Sequence, residues 1–215
     1  MNRFFIENSN TTLRKVLNNE DNLDIVQNLI EAILNLKVKK IILRPYFKEK
    51  SVYLPREEKY GITTVRIIDE EDKQYNIGIQ FMDGLYLQEK MLTFGISIYL
   101  NQTLYDDYND KVNTLTINFL DFNGFRSNAF HKIITFLEGN DYDNLNLRDE
   151  IKLHTIELPK FNKNTIETKE DEWITYFKGE DTELIDKIKE KNQYIKKLDD
   201  LLLDYWKNEV AWFRR

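Results

Sequence analysis

Gly61-Ile62-Thr63-Thr64-Val65-Arg66-Ile67-Ile68-Asp69-Glu70-Glu71-Asp72-Lys73-Gln74-Tyr75-Asn76-Ile77-Gly78-Ile79-Gln80 sets two runs rich in β-branched residues around an acidic triplet. Ile62 to Asp69 and Gln74 to Met82 read as strands, and Glu70-Glu71-Asp72 between them as a hairpin loop of about three residues. Strand residues two apart share a face. Tyr75, Ile77, Ile79 and Phe81 therefore form an apolar side, and Asn76, Gly78 and Gln80 a polar one. With the loop centred on Glu71, Thr64 stands opposite Gly78 on that polar side. A glycine inside a strand weakens it and often marks a bulge or the close approach of another backbone.

Outward from the hairpin, Asn10-Thr11-Thr12 offers capping oxygens ahead of an amphipathic helical region in which Leu13, Val16, Leu17, Val26, Leu29, Ile30 and Ile33 recur at three and four residues. Val38 to Leu43 is a short β-branched run stopped by Arg44-Pro45. Leu85 to about Leu104 returns to helical spacing, with Leu85, Leu92, Ile96 and Tyr99 expected on one side. Strands are expected at about Asn113 to Asp121, His131 to Leu137 and Ile151 to Leu158. Residues 159–164 read as a linker, followed by helices over Asp171 to Lys178 and Asp181 to Phe213. In the longer helix Leu184, Ile188, Ile195, Leu198, Leu202, Tyr205 and Trp212 follow a seven-residue register, suited to packing on its own domain or, alternatively, to a partner helix. The expected organisation is a core over 1–158, a linker and short helix over 159–180, and a long amphipathic C-terminal helix over 181–215.

Composition excludes several chemistries. The 215 residues contain no Cys, so no disulfide, thiolate metal site or cysteine nucleophile exists. His131 and His154 are too few for a histidine-based zinc or iron site unless carboxylates supply the rest. Neither a G-x-x-x-x-G-K-[ST] loop nor a G-x-G-x-x-G turn occurs. Met1 to Asn10 lacks a secretory pattern, and no apolar run approaches the roughly 20 residues of a bilayer span, so a cytoplasmic protein without membrane contact is expected. A net charge of −6 opposes indiscriminate DNA binding.

The stretch from Gly61 to Gln80 resembles the core hairpin of the PD-(D/E)XK nuclease family transposases, or recombination-promoting nucleases. Leu13 to Asn22 resembles that family's N-terminal helix and Leu115 to Phe122 its later strand, while His131, Ile151 to Phe161 and Glu172-Trp173 fit its downstream segments. The resemblance implies an α/β fold: a restriction-endonuclease-like α/β/α core on a small mixed sheet, here with a C-terminal helical extension. It also implies metal-dependent DNA hydrolysis, in which an Asp and a Glu on neighbouring strands hold Mg²⁺ that activates water. The family Asp falls on Thr64, the Glu on Gly78, the terminal position of the signature on Gln80, and the acidic position before the N-terminal helix on Asn10. A carboxylate is missing from Asn10, Thr64 and Gly78, and a divalent cation sheds water reluctantly for neutral ligands. No metal is therefore expected, and Mg²⁺ enters only if acids have been relocated. Asp69 has the wrong parity and Glu70 lies too far along the strand to substitute. Glu57, Glu58 and Glu89 are the remaining sources.

A basic segment carries Lys37, Lys39, Lys40, Arg44, Lys48, Lys50, Arg56 and Lys59, with Glu49, Glu57 and Glu58 intervening and Tyr46, Phe47 and Tyr53 interleaved. It is a candidate phosphate-contacting surface or a solvated face. The resemblance places Lys90 near a basic position on the family's core helix. His131 and His154 read as structural, Asp106 to Asp110 as a turn lacking the marks of an EF-hand, and Trp173, Trp206 and Trp212 as anchors. The expectation is a nuclease-fold pseudoenzyme acting as a DNA- or protein-binding regulatory module in recombination, the alternatives being an active Mg²⁺-dependent DNA endonuclease with relocated acids and a protein-interaction subunit that meets no nucleic acid. A partner protein or a second copy would dock through the C-terminal helix.

Overall fold

A computed structural model of the chain describes residues 7–44, 63–82, 84, 86–105, 112–136, 150–163 and 165–213, and of 7–10, 101–105 and 208–213 the backbone alone. The chain divides into two compact units, Lys37–Lys160 and Met1–Leu36 with Phe161–Arg215. Among the described residues there are six strands in one mixed sheet and six α-helices, consistent with a restriction-endonuclease-like PD-(D/E)XK fold.

The first unit is built on the sheet. Strands β1 (Val38–Leu43), β2 (Thr63–Asp69), β3 (Gln74–Met82), β4 (Asn113–Leu120), β5 (His131–Thr135) and β6 (Ile151–Glu157) lie in the order β1-β2-β3-β4-β6-β5. β1, β2 and β3 form an antiparallel meander, β3-β4-β6 run parallel, and β5 closes antiparallel on β6. The central strands β3 and β4 are buried on both faces, although their sequences alternate apolar residues with Asn, Gly, Gln and Thr. The β2–β3 connection spans four residues, one more than expected. Asp69 Oδ1 accepts from the N–H groups of Glu71 and Lys73, both at 2.9 Å, and Asp72 takes a left-handed φ of 61°.

Helix α1 (Glu7–Leu17), α2 (Leu23–Leu34) and the C-terminal helices make the other unit, while α3 (Leu87–Tyr105) belongs to the sheet unit and packs on β3, β4 and β6. The apolar positions of α1 and α2 are buried as their spacing requires. For α3 the expected face is corrected. Met91, Phe94 and Ile98 are buried, whereas Leu92 and Ile96 are each 39% exposed. The helix is apolar on all sides, so spacing offers two faces, and the sheet selects the one whose Gly95 permits close approach. A Cβ at Gly95 would stand 2.8 Å from Leu153 Cδ2.

In the helical unit, α4 (Lys169–Lys178) starts at a capping box in which Thr168 and Asp171 exchange bonds with each other's backbone. The stretch 181–213 is two helices, α5 (Thr182–Lys191) and α6 (Gln193–Phe213). They part at Asn192, whose extended backbone ends α5 and whose Oδ1 accepts from the N–H groups of Tyr194 and Ile195. Ile188, Ile195, Leu198 and Leu202 are buried, and α6 packs on α1, α2 and α5. These four residues of the stripe are thus engaged within their own unit. Trp173, Tyr176 and Phe177 are fully buried there; Trp173 donates to Asn28 Oδ1 at 3.0 Å and Tyr176 to Asp199 Oδ1 at 3.0 Å.

Candidate functional site

The hairpin register is the one that the spacing implies. Thr64 pairs with Gly78, Arg66 with Asn76 and Thr63 with Ile79. Parallel pairing extends the row: Gly78 lies beside Thr116, and Gln80 beside Asn118 of β4. Thr64, Gly78, Gln80, Thr116 and Asn118 therefore share one face, and each of them is buried.

The polar side chains of that row bond to neutral partners. Thr64 Oγ1 donates to Arg44 O at 2.7 Å. Gln80 Nε2 donates to Asn118 Oδ1 at 2.5 Å, and Asn118 Nδ2 in turn reaches Thr116 Oγ1 at 2.9 Å and His154 O at 2.8 Å. Arg66 Nε donates across the hairpin to Asn76 Oδ1 at 2.9 Å. The network anchors three strands, and its members at Thr64, Gln80 and Asn118 carry no charge.

At Gly78 the space is filled by α3. A Cβ there would stand 2.7 Å from both Cε1 and Cζ of Phe94 and would overlap Ile98 Cδ1. The close approach expected of a strand glycine is real, and what approaches is an apolar helix. Thr64 offers one hydroxyl already in use, Gly78 offers nothing, and Phe94 and Ile98 occupy the volume that a carboxylate would need. These residues do not fit a divalent cation, which requires several oxygen ligands around an open coordination sphere. Among the described residues no group of three or more His, Asp or Glu side chains could hold a metal ion.

Asn10 lies within the first turns of α1, not ahead of it, because the helix begins at Glu7. Of the alternative acids, Glu70 is exposed in the hairpin turn and Glu89 is exposed in the first turn of α3. Asp69 is taken up by the turn itself and by Tyr75 Oη at 3.2 Å. Glu57 and Glu58 lie outside the described residues.

Lys37, Lys39, Lys40 and Arg44 are exposed along the edge strand β1 and its flanks. Adjacent Lys39 and Lys40 both reach solvent because the pairing with β2 is irregular between Val38 and Lys40. Lys39 bonds Asp72 at 2.6 Å, and that hydrogen bond holds its ammonium pKa above the ordinary value. Lys39 to Arg44 covers roughly 16 Å of strand, the scale of several phosphates. Lys90 is half-buried in α3. Lys48, Lys50, Arg56, Lys59, Tyr46, Phe47 and Tyr53, and the loop Asp106 to Asp110, lie outside the described residues.

The two histidines meet at the far edge of the sheet, His131 Nε2 standing 3.0 Å from His154 Nδ1. Burial, followed by the charges of His131 and Lys152, pushes the His154 pKa down from 6.5 to about 4, so its imidazole stays neutral at ordinary pH. Nearby, Glu157 is buried between Lys132 at 2.8 Å and Lys160 at 2.6 Å and accepts from the N–H groups of Gly124 and Phe125. Burial works to raise its pKa, and the bonds from Lys132, Lys160 and Phe125 outweigh it and hold the carboxylate below its usual range. This knot closes the loop after β4 and holds no open position for a ligand.

Phe94, Ile98 and Asn118 decide the character of the candidate site, and none of them stands out in the sequence. The available signal was Gly95 beside Phe94, a helical glycine of the kind that marks tight packing. Neither a curated protein nor a solved structure matches the chain. The sequence model of the PD-(D/E)XK nuclease family transposases matches residues 12–209. With that span, the six-stranded mixed sheet and the paired positions Thr64 and Gly78 in view, the chain belongs to the PD-(D/E)XK nuclease family transposases.

Proposed function

We propose that this protein is a nuclease-fold module that binds DNA without hydrolysing it. The observation that carries this reading is the filling of the space at Gly78 by Phe94 and Ile98, where a family glutamate would have to extend. Phosphodiester hydrolysis in this fold uses a metal to orient water and to neutralise developing charge. A neutral, buried row of Thr64, Gln80 and Asn118 supplies neither task. Retained DNA contact is supported by family membership and by the exposed cations Lys37, Lys39, Lys40 and Arg44 on one sheet edge.

The test is plasmid cleavage by the purified chain in Mg²⁺ or Mn²⁺, beside salt-dependent retention of duplex DNA. The expected result is no turnover, with retention that weakens when Lys37, Lys39 and Lys40 are changed to Gln. Turnover abolished by Glu89→Gln, Glu57→Gln or Glu58→Gln would overturn the reading in favour of relocated acids. A second reading, a protein-interaction subunit, is favoured by exposed Leu92, Ile96 and Leu100, which recur every four residues along α3. DNA retention indifferent to salt and to the three lysine changes would select it.

A further inference from the structure

A cleft of about 550 Å³ opens in the helical unit where α5 gives way to α6, and no part of the proposed DNA surface borders it. Three lysines reach it from three helices: Lys169 opens α4, Lys191 ends α5 and Lys196 lies on α6. All three are exposed, and among the described residues no ion pair or hydrogen bond holds their ammonium groups. Lys189, at the same cleft, differs. It is committed to Asp186 at 2.8 Å and to Asp199 at 3.0 Å.

Asn28 supplies a second, independent sign. It is 5% exposed, it borders the cleft, and its Oδ1 is consumed by the Trp173 indole N–H. Its Nδ2 group has no acceptor among the described residues. That nitrogen is not among the solvent-sealed atoms lacking a partner, so it stays open to an acceptor that enters the cleft. The acids on the cleft are Glu172 and Glu190. Glu172 is held by Asn192 Nδ2 at 2.8 Å, and Glu190 is exposed on α5. Lys169, Lys191, Lys196 and the Asn28 amide thus border one cleft as donors not already taken by an acceptor.

We infer that this cleft binds a phosphate-bearing oligoanion, with Asn28 Nδ2 and the three lysine ammonium groups donating to phosphoryl oxygens. The volume exceeds that of a single phosphate and falls within the roughly 300–1,000 Å³ range of small-ligand sites. Ammonium groups on flexible stems suit a chain of phosphates, which they meet as point charges. Two sources carry this chemistry: a free polyphosphate compound, or the backbone of a nucleic-acid strand.

Calorimetric titration of the full chain with inorganic tripolyphosphate, and separately with a short single-stranded oligonucleotide, tests the inference. Saturable binding is expected for at least one probe. Lys169→Gln/Lys191→Gln/Lys196→Gln should weaken it by roughly tenfold or more, as expected for loss of charge-assisted bonds. Asn28→Asp, which keeps an acceptor for Trp173 and removes the donor, should weaken it as well. The control Lys187→Gln/Lys207→Gln, placed off the cleft, should not. Tripolyphosphate binding lost in the triple variant identifies a free polyphosphate as sufficient; oligonucleotide binding alone, lost in the same variant, identifies the strand. Absence of saturable binding by both probes, or equal weakening in the control, overturns the inference. Neither result bears on cleavage or on the β1 lysines.

Discussion

Gly78 lies directly beneath Phe94, so close that a single added carbon would stand 2.7 Å from two atoms of the ring. Gly78→Ala should therefore destabilise the protein by about 1–3 kcal/mol through overpacking, and Gly78→Glu by more, because a carboxylate would also be buried. Urea unfolding of both variants checks this. Gly78→Ala combined with Ile98→Val should recover part of the loss, since Ile98 Cδ1 is the nearest atom to the added carbon; two strictly additive losses would show that the clash does not arise there.

Placing acids at Thr64 and Gly78, where the resemblance implies them, should not by itself create a metal site. Thr64→Asp/Gly78→Glu is expected to bind Mn²⁺ no better than the parent, whereas the same pair with Phe94→Ala and Ile98→Ala should gain affinity. Manganese titration followed by electron paramagnetic resonance reads the difference. A gain in the two-acid variant alone would mean that α3 yields readily to a buried carboxylate.

Glu157 sits between Lys132 and Lys160, and its removal leaves two cations with less than a fifth of their side chains exposed. Glu157→Gln should cost about 3–5 kcal/mol, the usual penalty for breaking a buried pair. Replacing all three by apolar residues should restore much of that stability, because the desolvation cost disappears with the charges. Denaturant midpoints at neutral pH decide it; a loss under about 1 kcal/mol for Glu157→Gln would show that water reaches the knot.

Stability should fall with acid in a window set by His154. Its pKa is about 4 in the fold against 6.5 ordinarily, so between these values the unfolded chain binds more protons than the native one. Stability then rises with pH, is fully present above about 6.5, and is lost as pH falls toward about 4, by up to about 3 kcal/mol. Glu157 and Asp171 have depressed pKa values and withdraw their contribution at lower pH, below the ordinary carboxylate range. Unfolding midpoints measured across this range should slope in the parent and flatten in His154→Gln. Parallel profiles would assign the slope to another group.

The exposed row on α3 shows why some of this was hidden from pattern reading. Leu92 and Ile96 lie four residues apart, as Phe94 and Ile98 do, and a helix with apolar residues all round does not announce which side meets the sheet. The break at Asn192 was hidden for a related reason. The apolar register continues across it, so Ile188 and Ile195 remain in step while the backbone changes direction. The start of α1 at Glu7 was missed because Asn10, Thr11 and Thr12 are good caps, yet neither Pro nor Gly stops the helix from extending upstream.

What the chain settled by itself was local: the β2–β3 register, since alternation has a period of two and Asp69 closes the turn on its own neighbours; the bounds of β1 at Val38 and Leu43; the burial of Leu13, Val16, Leu29 and Ile30; and the facing of two uncharged residues, Thr64 and Gly78, across the hairpin. Tertiary structure decided the rest. The Gln80–Asn118 bond spans 38 residues, the His131–His154 contact 23 and the Trp173–Asn28 bond 145, and no periodicity links positions so far apart. Whether Gly78 faces water or the ring of Phe94 depends on which side of α3 the sheet accepts, and that choice rests on packing two surfaces together, each closely matched only in the folded unit.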